Sequence, residues 1–215
     1  MSGPVKVICD YRAQLPGIRD QGSRPQCLTF AASDANSYSN GTQDCLSVEY
    51  LALHAANSQT CGGSGFTFES IALALHNQGQ PLEHKFPYDP TCKQLTRPLK
   101  YDKSHYTPLY KAILLVKLPK FDEIIQGLSQ GKLFVLGLEV TQGFLRNDPS
   151  AIFSDEVGTR GMHAVLAVGY GELPSGELVI LVRNSWGDSW GDAGHGWITK
   201  CLYSNKAANA AELEA

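Results

Sequence analysis

A chain of 215 residues is long enough for one large domain or for two lobes sharing an interface. A hydrophobic fraction of 43% with 18% charged residues excludes a disordered chain. A net charge of −3 with scattered basic residues gives no electrostatic reason to expect nucleic acid or an anionic membrane as partner.

The apolar runs 112–116 and 133–138 are too short to span a bilayer. The start at Met1 lacks a basic segment followed by an apolar core and a cleavage site, so a cytoplasmic location is expected, as a free chain or within a larger protein. The six cysteines (Cys9, Cys27, Cys45, Cys61, Cys92, Cys201) then read as free thiols in a reducing compartment. Neither Cys-x-x-Cys nor His-x-x-x-His occurs, so no metal site is expected, and nothing in the sequence calls for a cofactor.

Residues 1–25 are turn-rich and read as an extended lead-in. From Cys27 the small and apolar residues Leu28, Phe30, Ala31, Ala32 and Ala35 run without Gly or Pro until Gly41, which predicts a mostly buried helix. A thiol at the head of that helix meets backbone N–H groups that favour its thiolate. Ser47 is a candidate N-cap for a second helix through Glu49, Leu51 and His54. A glycine-rich loop, 61–65, precedes a third helix over Phe68–Leu75, stopped at Gly79.

The proline-rich stretch 85–120 has little periodicity, and a helix is predicted at Phe121–Ser129. Strands follow at Leu133–Val140, His163–Tyr170, Glu177–Arg183 and Gly196–Leu202. The Ala/Glu-rich tail 207–215 reads as a short helix or a frayed end. A helical half followed by a sheet half predicts an α+β protein of two lobes with a cleft between them, the helical lobe over about 20–110 and the β lobe over about 111–206 with the lead-in.

Acyl transfer through cysteine needs a thiolate, a histidine to handle its proton, a group to orient the imidazole, and donors for the oxyanion. Three stretches are the most distinctive in the sequence and carry such groups: Leu15 to Cys27, Gly161 to Gly171, and Val182 to Gly191. Together, with Gln21-Gly22 six positions before Cys27, His163-Ala164-Val165, and Asn184-Ser185-Trp186-Gly187, they resemble the papain and cathepsin family of cysteine peptidases, more closely its bacterial branch without the usual disulfides and pro-segment. In that family His and Asn follow the Cys by about 130–150 residues. Here the distances are 136 (163 − 27) and 157 (184 − 27), with 173–176 a place for the extra residues. Leu46-Ser47, the loop 62–65, and Glu83 with Pro87-Tyr88 are weaker echoes, so the resemblance covers nearly the whole chain.

The resemblance implies a papain-like fold with a barrel-like antiparallel sheet in the second lobe. It implies Cys27 as nucleophile, His163 as acid and base, Asn184 as orienter, and Gln21 with the Cys27 N–H as oxyanion hole. Trp186 would shield the His–Asn pair, Ser64 and Gly65 (or Gly62 and Gly63) would pair with an extended polypeptide substrate, and Met162 would face its side-chain pocket. Where the family has Cys-Gly-Ser-Cys-Trp, this chain has Arg24-Pro25-Gln26-Cys27-Leu28. Arg24 thus replaces a disulfide partner, and Cys61 loses its mate. His195 stands where the family has an aromatic, which implies a packing role. Only 26 residues precede Cys27, leaving room for further domains or a regulatory partner in place of a pro-segment. The expected activity is peptide-bond hydrolysis. The same groups serve a deamidase, a transamidase or a cell-wall peptide amidase, and a peptide-binding module without catalysis is the third reading.

Overall fold

The structure, a computed structural model, describes residues 5–58, 65–146, 150–156, 158 and 161–214. The first helix, α1 (Cys27–Ser39), begins at the cysteine itself and is buried from Leu28 to Ser37, polar residues included. Its polar groups are answered one by one: Ser33 Oγ donates to Leu46 O at 3.0 Å and Asn36 Nδ2 to Gln80 Oε1 at 2.9 Å. A helix can be buried all round only on those terms, because each unpaired polar group inside the protein costs about 1–3 kcal/mol.

Helix α2 (Val48–Asn57) starts at Ser47, whose hydroxyl accepts from Tyr50 N. Glu83 steadies the same corner by accepting from Val48 N at 3.3 Å and Tyr88 N at 2.6 Å. Helix α3 (Phe68–Asn77) is capped by Thr67, with Ser70 reciprocating, and the chain leaves it through Gly79 at φ 71°.

The second half is built on a sheet of strands β1 (Lys6–Asp10), β2 (Ile113–Val116), β3 (Phe134–Glu139), β4 (Ile152–Phe153), β5 (Met162–Glu172), β6 (Leu178–Arg183), β7 (His195–Thr199) and β8 (Ala207–Glu214). Their order is β2-β8-β3-β5-β6-β7-β4, with β1 beside β5. All pairs are antiparallel except β4 with β7. The long β5 changes partner along its length, pairing with β3 from Met162 to Ala167, with β6 from Leu166 to Glu172 and with β1 from Gly169 to Glu172. Helices α4 (Phe121–Ser129), α5 (Gln142–Leu145) and α6 (Lys200–Lys206) complete the fold. One core cluster runs from α1 and α3 through the sheet.

Two expectations are corrected. The tail is neither helical nor frayed: Ala207–Glu214 is a strand between β2 and β3, with Ala210 and Ala211 buried. Alanine favours helices weakly, and the open backbone groups of two neighbouring strands outweigh that preference. Residues 200–202 belong to α6, not to the preceding strand, because the Thr199 hydroxyl accepts from Leu202 N and starts a helix there. The lead-in holds a strand, β1, and the proline-rich stretch runs into β2.

His195 is 5% exposed in β7; its Nδ1–H donates to Ala193 O at 2.8 Å, and its Nε2 has no partner among the described residues. Burial first, then the nearby Arg183 and Arg12, pull its pKa down to about 4 against the Ala193 bond and Asp10. The folded chain therefore stays neutral there while the unfolded chain takes up a proton near pH 6.5. This contribution to stability is complete above pH 6.5 and drains away as pH falls to about 4, by about 3 kcal/mol in all. His195→Phe is expected to flatten this part of the melting-temperature profile between pH 7 and 4.5; an unchanged slope would refute the assignment.

Candidate active site

Cys27, His163, Gln21, Trp186, Met162 and Gly65 line one cleft of 520 Å³, with Asn184 behind the histidine. One wall is Pro25, Cys27, Leu28 and the 65–69 segment entering α3; the other is Gly137 on β3, Met162 to Ala164 on β5, Trp186, and Asn209 on β8. Ser64, like Gly62 and Gly63, lies outside the described residues.

The thiol of Cys27 is half-buried at the first residue of α1. Burial pushes its pKa up, while the backbone N–H groups of Ala164, Leu28 and Cys27 favour the thiolate. The Ala164 contribution brings the sulfur to the strand that carries His163. The imidazole of His163 is 6% exposed, and its Nε2 lies 2.7 Å from Asn184 Oδ1. That oxygen accepts only, so Nε2 carries the hydrogen and Nδ1 is left as the acceptor. Burial pulls the His163 pKa down to about 4, with the Asn184 bond opposing. Burial thus opposes a charge on either group alone.

Trp186 lies over His163, ring centroids 4.3 Å apart and planes 36° from parallel. Behind it stands an aromatic wall of Phe144 and Trp190. Phe144 meets Trp186 edge-on at 5.7 Å and Trp190 at 4.9 Å, and Trp190 Nε1 donates to Phe144 O at 3.0 Å. Beside these rings His163 and Asn184 are both buried.

The Gln21 carboxamide is held on two sides. Its Oε1 accepts from Ser185 Oγ at 2.6 Å, and its Nε2 donates to Arg24 O at 2.8 Å. One N–H remains for a group in the cleft. Ser185 lies inside the stretch that carries Asn184, yet its neighbour's chemistry hid it. Ser185→Ala should free the carboxamide to turn and lower kcat by about tenfold with KM little changed; equal kcat in variant and wild type would show that Ser185 does not orient Gln21.

Met162 is 56% exposed at the rim. Gly137 and Asn209, which no motif marks, meet on the same wall: a Cβ at position 137 would lie 3.2 Å from the Phe68 ring and 3.5 Å from Asn209 Cβ. The tail that reads as uninformative therefore contributes a cleft residue.

Among solved structures, that of xylellain, a cysteine protease from Xylella fastidiosa, matches with a TM-score of 0.76 over 100% of this chain and 96% of its own, at 21% identity. The Carica candamarcensis cysteine protease CMS1MS2 in complex with E-64 matches with a TM-score of 0.74 over 95% of this chain and 96% of its own, at 24% identity. At such identities these likenesses show the fold alone. Pro-cathepsin H of Mus musculus is 27% identical over 210 residues, 90% of this chain and 60% of that protein. The senescence-specific cysteine protease SAG12 of Arabidopsis thaliana is 29% identical over 214 residues, 93% of this chain and 58% of that protein. The chain thus spans 60% and 58% of the length of these two relatives. Mouse and plant relatives give no support for the closer tie to a bacterial branch. The profile described as papain family cysteine protease matches residues 6–212, and the chain belongs to that family.

Proposed function

We propose that the chain hydrolyses peptide bonds in extended polypeptide through an acyl-enzyme on Cys27. The carrying observation is that a thiol at a helix N-terminus and a His–Asn pair 2.7 Å apart open on the same cleft. In this reading the Cys27 sulfur attacks the carbonyl carbon, and its proton passes to His163 Nδ1. The carbonyl oxygen takes the negative charge and is met by the free Gln21 N–H and the Cys27 backbone N–H. Collapse breaks the C–N bond as His163 gives its proton to the leaving amine, leaving a thioester. Water, deprotonated by His163, attacks the thioester and frees the new carboxylate and the thiol.

Asn184 acts by holding Nε2–H, so that Nδ1 faces the sulfur throughout. Trp186 keeps that bond dry. Gly65 supplies backbone for an extended substrate, and Met162 borders the pocket for one of its side chains. Mass spectrometry of a peptide library incubated with the chain tests the reaction class. New amino termini with a mass gain of one water across the cut are expected. Ammonia release with an intact backbone would instead mean deamidation and would overturn the peptidase reading.

A further inference from the structure

Arg24 stands three residues before the nucleophile, where the family has a disulfide cysteine, and it is 4% exposed. Its guanidinium makes a two-pronged pair with Glu49 of α2, which is 0% exposed: Nη1 to Oε2 at 2.7 Å and Nη2 to Oε1 at 2.9 Å. The second N–H of Nη1 reaches Asp89 O at 2.9 Å and that of Nη2 reaches Leu95 O at 3.0 Å, and the group lies over the Tyr88 ring at 4.7 Å. Tyr88 in turn donates its hydroxyl to Gln21 O at 2.7 Å. Four hydrogen bonds from its two terminal nitrogens thus hold the end of this side chain.

The backbone of the same residue touches the chemistry. Arg24 O accepts from Gln21 Nε2 at 2.8 Å and from Gln26 N at 2.8 Å, immediately before Cys27. We propose that Arg24 is a positioning residue for the oxyanion donor: its locked guanidinium fixes the carbonyl that takes one N–H of Gln21, so that the other is held ready for the cleft. The proposal rests on the peptidase reading, in which Gln21 meets the oxyanion. A cross-link would fix this turn covalently; here a planar, bidentate ion pair does so, and lysine, with its single ammonium, lacks the fork that the site uses.

Arg24→Met alone would leave the buried Glu49 carboxylate without its two-pronged partner, facing Arg97 Nε at 3.6 Å. The variant of choice is therefore the paired exchange Arg24→Met/Glu49→Met, with Arg24→Lys beside it as a charge-preserving variant and thermal melting to verify folding. Each is compared with wild type, Gln21→Ala and the combination with Gln21→Ala. Two rates are read: turnover of fluorescein-labelled denatured casein, split into kcat and KM, and alkylation of Cys27 by iodoacetamide, which forms no oxyanion. The paired exchange is expected to lower kcat by about 10- to 100-fold at nearly constant KM. Arg24→Lys should lower it less, and alkylation should stay within about twofold in both, since it needs only the thiolate. Neither exchange should reduce turnover further once Gln21 is alanine, because residues acting through one group are not additive.

Retained kcat in both exchanges, with a large loss in Gln21→Ala, overturns the proposal and leaves the peptidase reading standing. A parallel loss of alkylation and turnover, or full additivity with Gln21→Ala, also overturns it, in favour of a purely structural staple. A wild type that is alkylated at Cys27 but cleaves no casein overturns the peptidase reading, and this proposal with it.

Discussion

Replacing Cys27 by alanine is expected to reduce peptide cleavage to background, a fall on the order of 10⁴- to 10⁶-fold, the range seen when a covalent nucleophile is removed. The size follows from the mechanism: among the described residues no other thiol lines the cleft, so the remaining binding and oxyanion donors act on uncatalysed attack by water. The fold should not respond in kind. The thiol is half-buried, and its removal takes away one sulfur whose neighbours are backbone N–H groups and cleft space. A melting temperature within a few degrees of wild type is therefore expected, with full loss of iodoacetamide labelling at this position. Casein cleavage by Cys27→Ala at a tenth of the wild-type rate or more would remove the covalent mechanism, whatever became of the fold.

How much of this was legible beforehand depended on the kind of signal. Helices with local start signals read well: Cys27–Ser39, the Ser47-capped α2 and Phe121–Ser129 all follow from composition and caps within the segment. Strands with apolar runs, such as Leu178–Arg183, did too. What failed were segments whose structure is imposed by a distant neighbour. Ala207–Glu214 has no strand pattern of its own and becomes one only because β2 and β3 present backbone groups on either side.

The site divides in the same way. Cys27, His163, Asn184, Gln21 and Trp186 stood in motifs with known spacing. Ser185, Arg24 and Phe144 gain their place from contacts across 164, 25 and 46 residues, to Gln21, Glu49 and Trp190, which no local pattern announces. The departure at Arg24 was visible as a substitution, but its pairing with Glu49 was not.

The largest expected loss of stability lies at Asp34, which ties the helix carrying Cys27 to the strand end that leads into Asn184. Its Oδ1 accepts from Arg19 Nη2 at 2.5 Å and its Oδ2 from Arg183 Nε at 2.6 Å, and Arg183 Nη2 continues to Pro16 O and Gly17 O at 2.8 and 2.7 Å. All three side chains are largely buried. Burial pushes the Asp34 carboxyl up, but Arg19 and Arg183 outweigh it and hold it below the usual carboxylate range. Asp34→Asn keeps the shape, removes the charge, and leaves two guanidinium groups facing a neutral amide that offers one acceptor. Such a break in a buried network costs about 3–5 kcal/mol, roughly 10 °C in melting temperature for a chain of this length. Because the folded value is depressed, the aspartate's contribution is whole above the unfolded value near 3.9 and is lost as pH falls through the lower folded one. The deficit of the variant should therefore stay constant from pH 7 to 5 and close only below about pH 4, the His195 contribution being common to both proteins and cancelling in the difference. A melting temperature within 2 °C of wild type at pH 7 would mean that the arginines find other partners, and the carboxylate would then not be what joins the two sides of the cleft.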